Sequence, residues 1–365
     1  MTSEIGREIM KHIGSDFFTT ESVDREGEIP ALCQNNARNI TLVMIRETIA
    51  PFINRSNIPD ESVWFRISEK REVIHVPARK FKSREKMFGI KLLRYLSMVD
   101  KHYRYNHLTA RAQFINPTSV LMGETIVFPD KGETTLSIPS RALYSDVYSI
   151  RDREYITDKL TNNALNEEGT MYDRDKGTTS SAFFSTEYVI PGVFFPAFIT
   201  LKDPTPELLL HLIFSLRQTA YGASTATTGT NFRNHLIGIV GSRIEPPVSS
   251  YLVSLKYPFT ENNSSNDRLL FDDVKKHITS LVKENLTDGA VLIADEKLVN
   301  FLQYVNSLKL GDDKVKEAYN QVMLDIQKYL SYSFDKPESK RGKKKDIAKE
   351  QANGPGGGSS GNIQG

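Results

Sequence analysis

The segment 221–230 has the composition of a loop that brings backbone amides close to an anion. It reads YGASTATTGT, and most residues between Gly222 and Gly229 are small or hydroxylated. Glycines permit backbone conformations in which N–H groups converge, and hydroxyl groups add short hydrogen-bond donors. Arg217 stands before the loop and Arg233 stands after it. The pattern predicts a phosphate-contacting loop, although a solvated connection between a helix and a strand has a similar composition.

Two better-known phosphate and nucleophile motifs do not fit this segment. The segment does not match a nucleotide-binding P-loop, because six residues separate the two glycines and no Gly-Lys-Ser/Thr follows. The run Gly222-Ala-Ser-Thr-Ala226 is a poor nucleophile elbow, since it follows a helical pattern whereas that motif follows a strand.

The elements around the loop form a strand, helix, loop, strand order. Apolar residues from Val189 to Leu201 predict strand structure, and Asp203-Pro-Thr-Pro-Glu207 has the form of a helix start. A broad apolar face follows, and a second strand covers 235–240. This order is the second half of a ferredoxin-like unit. The apolar face of the helix consists of Leu208, Leu209, Leu212, Ile213 and Leu216.

Positive charge is concentrated in one part of the chain. The net charge is +2, yet the stretch 66–111 holds thirteen Lys/Arg against four Asp/Glu, and the tail 336–365 holds seven against three. A locally basic segment indicates a polyanion partner, while a solvated helix face is the alternative. Phe88–Met98 has helical spacing of its apolar residues, and a buried strand is predicted over Asn39–Arg46.

Composition also excludes several classes of protein. The amino terminus MTSEIGREIMKH is too charged for a signal peptide, and Pro191 and Pro196 break the longest apolar run, so no membrane segment is predicted. A single cysteine, Cys33, excludes an intrachain disulfide framework and fits a reducing cytoplasm. His102 and His107 stand alone among tyrosines, so we expect no structural zinc and no resident cofactor.

The remaining regions differ in their patterns. Residues 1–38 are polar and poorly periodic, and we expect them to wrap the body. The polar excursion over about 150–188 predicts a functional loop. Three helices are expected at about 266–286, 289–308 and 312–332. The tail 336–365 is predicted to be disordered or partly an expression remnant.

Five segments together resemble the backbone subunit of type I-D CRISPR interference (Cascade) complexes. They are ITLVMIRET (Ile40–Thr48), EEGTM (Glu167–Met171), VFFPAFITLKDPT (Val193–Thr205), AYGASTATTGT (Ala220–Thr230) and RNHLIGIV (Arg233–Val240). They occur in the family's order over roughly 200 residues, which makes the likeness far more specific than one glycine pattern.

The resemblance implies an α+β fold of the RAMP superfamily, a modified RNA-recognition-motif (ferredoxin-like) core with large insertions and a C-terminal helical bundle. The core would span 1–247, with a hairpin region at about 100–130 and a lid or thumb at about 150–188. A helical region would span 248–335.

The implied function is crRNA binding, with several copies of the protein arranged head to tail along the RNA. Other subunits of the effector complex, and target DNA or another single strand, would be further partners. Thr170 and Met171, near the lid tip, would contact the target pairing. The residues implied in RNA binding are Arg46, Arg79, Lys80, Lys82, Arg84, Arg217, Tyr221, Gly222, Ser224, Thr225, Thr228, Gly229, Asn231, Arg233 and Asn234.

The sequence also allows two functions other than guide-RNA binding alone. Related backbone subunits cut single strands with an aspartate near the thumb, which would require Mg²⁺. A scaffold that binds no nucleic acid would leave both the basic stretch and the glycine loop without a role. The aspartates in the corresponding region are Asp146, Asp152, Asp158, Asp173 and Asp175.

Overall fold

The computed structural model describes residues 2–24, 27–54, 61–99, 103–104, 113, 115–128, 134–163, 172–173, 178–179, 183–221, 230–259 and 265–334. Its helices are α1 (Glu4–Ile13), α2 (Ala78–Tyr95), α3 (Pro117–Met122), α4 (Arg153–Ile156), α5 (Pro206–Gln218), α6 (Ser250–Leu255), α7 (Phe271–Glu284), α8 (Asp295–Ser307) and α9 (Asp313–Phe334), with 3₁₀ turns at Ser15–Phe17 and Ala31–Cys33.

The strands are β1 (Ser22–Asp24), β2 (Gly27–Ile29), β3 (Asn39–Thr48), β4 (Trp64–Ser68), β5 (Arg71–Val76), β6 (Glu124–Phe128), β7 (Thr134–Ile138), β8 (Ala142–Tyr144), β9 (Val147–Asp152), β10 (Thr157–Asn163), β11 (Tyr172–Asp173), β12 (Thr178–Thr179), β13 (Phe183–Val189), β14 (Phe194–Lys202), β15 (Phe232–Ser242) and β16 (Val291–Ile293).

A five-stranded antiparallel sheet forms the centre of the fold. Its strands follow the order β16-β15-β3-β14-β8. Along the chain the elements β3, α2, β8, β14, α5 and β15 give the β-α-β-β-α-β connectivity of a ferredoxin-like unit. The mixed α+β class predicted from the sequence is therefore confirmed.

Both faces of strand β3 are covered. Ile40, Leu42 and Met44 belong to a core shared with α2, α5 and α9, whereas Val43 and Ile45 belong to a second core with α6 and α7. Side chains alternate between the two faces of a strand, so a run of apolar residues without polar interruption is needed when both faces are buried. The middle of this strand is thus part of the interior.

The amino-terminal segment is more regular than the sequence pattern indicated. Helix α1 buries Ile5, Ile9 and Ile13, which recur every four residues on one face. The Ser3 side chain caps the helix by accepting a hydrogen bond from the Gly6 amide at 3.0 Å. Our description of residues 1–38 as poorly periodic is therefore wrong for this helix.

The C-terminal helices agree with the prediction, and one strand was missed. Helices α7, α8 and α9 lie within the three predicted ranges or extend them by two residues. Strand β16, between α7 and α8, joins the central sheet by pairing with residues 239–241 of β15. Three residues are too few to give a recognisable strand pattern, so only the sheet shows this pairing.

The polar excursion begins and ends as an antiparallel ribbon. Strand β10 pairs with β13 from Thr157↔Val189 to Asn163↔Phe183. Glu187 fixes its base, because it accepts hydrogen bonds from the Ser62 amide at 2.7 Å and from Arg153 at 3.0 Å. In the described parts of the chain, no helix is long and apolar enough to cross a membrane.

Candidate nucleic-acid interface

Helix α2 carries most of the predicted basic cluster. The sequence predicted a helix from Phe88, but it begins ten residues earlier, at Ala78, where Asp146 accepts a hydrogen bond from the backbone amide at 2.8 Å. Lysine and arginine are good helix formers, and Phe81 and Glu85 supply the inward face of the first turns. The basic residues therefore lie on a helix rather than in a loop before one.

Three lysines of this helix are engaged inside the protein. Lys80 donates to the Asn54 side chain at 2.6 Å, and Lys82 donates to Ser140 at 2.7 Å. Lys86 is buried, 2.8 Å from a Glu124 carboxylate oxygen. Burial lowers the pKa of both Lys80 and Lys82. Lys80 and Lys82 were predicted as RNA ligands, and the structure gives both of them intramolecular partners.

Four other cations of α2 are exposed, and one of them, Arg94, donates to the Tyr103 carbonyl at 2.6 Å. Arg79, Arg84 and Lys91 are exposed, and no ion pair joins them to any residue that the structure describes. We call these three residues the α2 basic face. Exposed cations without a neighbouring carboxylate keep their full attraction for an external anion.

Arg46 does not belong to the surface. It is 1% exposed, and its Nη1 donates to Glu85 Oε1 at 2.7 Å, while Phe81 stacks 4.0 Å from the guanidinium carbon. Burial lowers its pKa, but the charge and hydrogen bond of Glu85 together with Tyr221 and Tyr144 outweigh this, so the pKa stands above its ordinary value. The prediction that Arg46 holds a phosphate is therefore wrong. Position 46 falls on the strand face that meets α2, and its charge is satisfied there.

Tyr221 and Asn234 complete this buried network. The Tyr221 hydroxyl donates to Glu85 Oε1 at 2.6 Å, and Asn234 Nδ2 donates to the Tyr221 hydroxyl oxygen at 2.6 Å. Asn234 Oδ1 in turn accepts from Arg46 at 3.2 Å. Burial and then Glu85 raise the pKa of Tyr221. Both residues were predicted as RNA ligands; the structure buries Tyr221, half-buries Asn234 and gives both of them intramolecular partners.

This network fixes the two ends of the glycine loop. The Tyr221 backbone amide donates to Thr230 Oγ1 at 3.1 Å, and Asn231 donates to the Pro51 carbonyl. The predicted ligands between these ends lie outside the described residues, as do Thr170 and Met171 of the lid. These loop positions are Gly222, Ser224, Thr225, Thr228 and Gly229.

The two flanking arginines lie in different surroundings. Arg233 is exposed, and it follows Phe232 and precedes Asn234 on β15, so it points to the sheet face opposite Asn234. Arg217 donates to the Asn306 side chain at 3.0 Å. The structure thus brings helix α2 against Tyr221 at the start of the loop and leaves Arg233 on the other side of the strand.

The described aspartates near the lid each have a partner. Asp152 accepts from Arg71 at 2.8 Å, Asp158 accepts from the Tyr188 hydroxyl at 3.2 Å, and Asp146 lies 2.8 Å from His75 Nε2. Within the described ranges, no three acidic, histidine or cysteine side chains form a group suited to a metal ion. The side chains of Asp173 and Asp175 lie outside these ranges.

Glu85 is the residue that sequence reasoning missed. It was counted only as one of four acids in the basic stretch 66–111, although it stands four residues after Phe81. Residues four apart share a helix face, so an inward Phe81 places Glu85 inward as well. A buried carboxylate in a basic segment requires a buried cation, and Arg46 supplies it.

A known protein family matches most of the chain. The family model "Csc2 Crispr" matches residues 71–319, which is more than half of the chain. The chain belongs to the Csc2 CRISPR family. The matched region contains α2, α5, β14, β15 and the loop between α5 and β15, whereas β3 lies before it. No curated protein sequence matches the chain.

One solved structure shows a similar fold. The crystal structure of Thermofilum pendens Csc2 superimposes with a TM-score of 0.55 at 13% identity, covering 89% of this chain and 98% of that chain. A chain described as a CRISPR RNA-guided surveillance complex superimposes with a TM-score of 0.42 at 9% identity, covering 78% of this chain and 98% of that chain. A chain described as a pre-nicking CRISPR RNA-guided surveillance complex superimposes with a TM-score of 0.45 at 9% identity, covering 79% of this chain and 100% of that chain. At such identities the Thermofilum likeness concerns the fold alone.

Proposed function

We propose that this protein is the crRNA-binding backbone subunit of a type I-D CRISPR effector complex. In this role several copies would assemble head to tail along the guide, next to other subunits, and support its pairing with target nucleic acid. Membership of the Csc2 CRISPR family supports a role in a CRISPR effector complex. The observation that carries RNA binding is the contact between α2, the helix that bears the α2 basic face, and Tyr221 at the start of the glycine loop.

The helix and the loop base are in direct contact. Phe81 and Tyr221 have ring centroids 5.8 Å apart, and Glu85 of the same helix accepts the Tyr221 hydroxyl hydrogen bond. Arg84 precedes Glu85 and is exposed. The helix that carries this exposed cation therefore contacts the residue that begins the phosphate-type loop. Backbone amides and a nearby row of cations are the two groups that bind a phosphate backbone without reading its sequence.

The corrected set of RNA ligands is smaller than the predicted one. Arg46, Tyr221 and Asn234 support the site from inside, and Lys80 and Lys82 have intramolecular partners. The α2 basic face and the loop would make the phosphate contacts on one side. Arg233, on the other side of β15, would meet a strand that continues past the sheet edge.

The test compares two triple variants in single-stranded RNA binding at several salt concentrations. Changing Arg79, Arg84 and Lys91 to alanine should weaken binding and reduce the slope of log affinity against log salt by about 2, because each phosphate contact on single strands contributes roughly 0.7. The matched control changes Arg66, Lys314 and Lys316 to alanine. Those three are also exposed, but each is paired with a carboxylate.

The control variant removes the same net charge elsewhere on the surface. We expect it to keep nearly the wild-type affinity and salt slope. Equal losses in both variants would show that only net charge matters, and unchanged binding in the first variant would remove the α2 basic face from the site.

A further inference from the structure

Helix α2 carries apolar side chains as well as cations on its outward side. At 3.6 residues per turn, positions 84, 87, 88, 91 and 95 fall within about 100° of arc. The residues at these positions are Arg84, Met87, Phe88, Lys91 and Tyr95. We call these five residues the α2 mixed stripe. Cations and uncharged side chains alternate along it.

The uncharged members of the stripe are not part of the packing surface of α2. Met87 is 42% exposed and Tyr95 is 70% exposed. Phe88 is half-buried, and among the described residues it belongs to neither apolar core. The helix packs through a different side, which includes the buried residues Ile90 and Leu93. The stripe therefore presents an aromatic ring and a thioether to the outside.

The helix turn that bears Tyr95 has a closed end. Ser97 follows the helix with a φ of 57°, and its amide donates to the Arg94 carbonyl at 3.0 Å. The Met98 amide donates to the Leu93 carbonyl at 2.9 Å. These are the two hydrogen bonds of a Schellman motif, which satisfies the last carbonyl groups of a helix. Tyr95 is thus exposed on a fixed turn and not on a fraying one.

The order of side chains along the stripe matches the two kinds of group in a single nucleic-acid strand. Arg84 and Lys91 are about 10 Å apart along the helix axis, Met87 lies between them, and Tyr95 stands about 6 Å beyond Lys91. Exposed cations attract phosphates, and unpaired bases stack on aromatic side chains. Sulfur also makes favourable contacts with aromatic rings. A bare polyanion would use only the cations.

Two other partners fit the stripe less well. A membrane surface needs a continuous apolar face on the helix, and on α2 that face is buried in the protein. A duplex offers phosphates to the cations, but its bases are already stacked on one another and Tyr95 would meet none of them.

We propose that the α2 mixed stripe binds unpaired RNA, with Tyr95 and Met87 against exposed bases and with Arg84 and Lys91 against phosphates. The inference rests on the proposed function and adds the class of strand to it. The cations supply attraction for any polyanion, and the uncharged members select a strand whose bases are free.

A double variant removes the base contacts without changing the charge. Met87→Ser/Tyr95→Ser should lower the affinity for a short unstructured RNA by about ten-fold or more, because each stacked base adds substantially to binding. The slope of log affinity against log salt should stay at the wild-type value, since no phosphate contact is lost. Tyr95→Phe keeps the ring and should retain nearly the wild-type affinity.

The matched control lies on helix α9. Leu324→Ser/Tyr332→Ser also removes an aliphatic residue and a tyrosine eight positions apart, and these side chains are 53% and 38% exposed. We expect this variant to bind RNA like the wild type. Equal losses in the two double variants would overturn the proposal, as would unchanged binding by Met87→Ser/Tyr95→Ser.

An altered RNA tests the same contact without changing the protein. RNA of equal length and charge that lacks its bases should bind to the wild type about as weakly as intact RNA binds to Met87→Ser/Tyr95→Ser. The double variant should lose little more on the abasic strand, and duplex RNA should bind equally to both proteins. Equal wild-type affinity for intact and abasic RNA would contradict the inference even if the double variant failed to fold.

Failure of this inference differs from failure of the proposed function. A wild-type protein that binds no RNA at all removes both. Salt-dependent RNA binding that is indifferent to the bases, or that polyphosphate of equal charge displaces as well as RNA does, removes the inference alone.

Discussion

The Tyr221 hydroxyl donates a hydrogen bond of 2.6 Å to Glu85 and so ties the beginning of the glycine loop to helix α2. The same oxygen accepts from Asn234, which lies on the strand that leaves the loop. One buried hydroxyl therefore connects the two sides of the loop to the helix that bears the α2 basic face. Its removal has a specific expected effect.

Tyr221→Phe should lower the free energy of unfolding by about 1–3 kcal/mol. The ring can remain in place, but Asn234 loses an acceptor and Glu85 loses a donor in a buried site, where unsatisfied polar groups are costly. Urea unfolding followed by circular dichroism measures this loss. Tyr251→Phe is the control, because that hydroxyl makes only a 3.5 Å contact with the Ile67 carbonyl. Similar losses in both variants would contradict the special role of Tyr221.

The pair Arg46–Glu85 should show strong coupling. Removing one charge, as in Arg46→Met or Glu85→Gln, leaves a buried polar network incomplete and should cost about 3–5 kcal/mol of stability. The double variant Arg46→Met/Glu85→Gln should lose less than the sum of the two single changes, since no uncompensated charge stays buried. A double-mutant cycle from urea unfolding measures the coupling. Additive losses would show that the two groups act independently.

Asp325 should make the protein less stable as the pH rises. Burial, followed by nearby Glu207 and Glu21, raises its pKa from 3.8 to about 6. Its contribution is fully present below pH 3.8 and is lost as the pH passes 6, because the folded state then holds an ionised buried carboxylate. Asp325→Asn should therefore be more stable than the wild type by about 2–3 kcal/mol at pH 8 and nearly equal to it at pH 4.

Thermal or urea unfolding at the two pH values tests this prediction. Asp313→Asn is the control, because the Asp313 side chain is 99% exposed. A gain that is the same at pH 4 and pH 8 would contradict the role of ionisation.

His211 should have the opposite pH dependence. Burial lowers its pKa to about 3, and its ring nitrogens lie 2.8 Å from Thr118 Oγ1 and 2.9 Å from the Tyr319 hydroxyl. The unfolded chain takes up a proton below pH 6.5, whereas the folded ring does not. Stability is thus present above pH 6.5 and is lost as the pH falls toward 3, by about 2 kcal/mol between pH 7.5 and 5.

A variant without a titrating ring isolates this effect. His211→Gln should be less stable than the wild type at pH 7.5, and the difference should shrink at pH 5. In wild-type spectra, the nitrogen resonances of the His211 ring should remain those of a neutral imidazole at pH 5. A protonated ring at that pH would refute the prediction.

The sequence by itself determined the class of fold and marked the candidate site. Apolar runs without polar interruption predicted β3 and β14, and the proline-containing start and apolar face predicted α5. The glycine and hydroxyl content of 221–230 marked a loop, and the charge count marked the basic stretch. Each of these features depends on residues that are close in the chain, where propensity and periodicity act directly.

Only the tertiary structure decided which of the predicted ligands face outward. Arg46 and Arg84 have the same charge, yet Arg46 is buried because strand alternation turns it toward Glu85 of α2, and Glu85 comes from a distant part of the chain. The same holds for Lys82, whose partners come from the segment around Ser140, and for the three residues of β16. Charge and spacing determine what a side chain can bind. The packing of distant elements decides whether that side chain finds its partner inside the fold or remains exposed to a ligand.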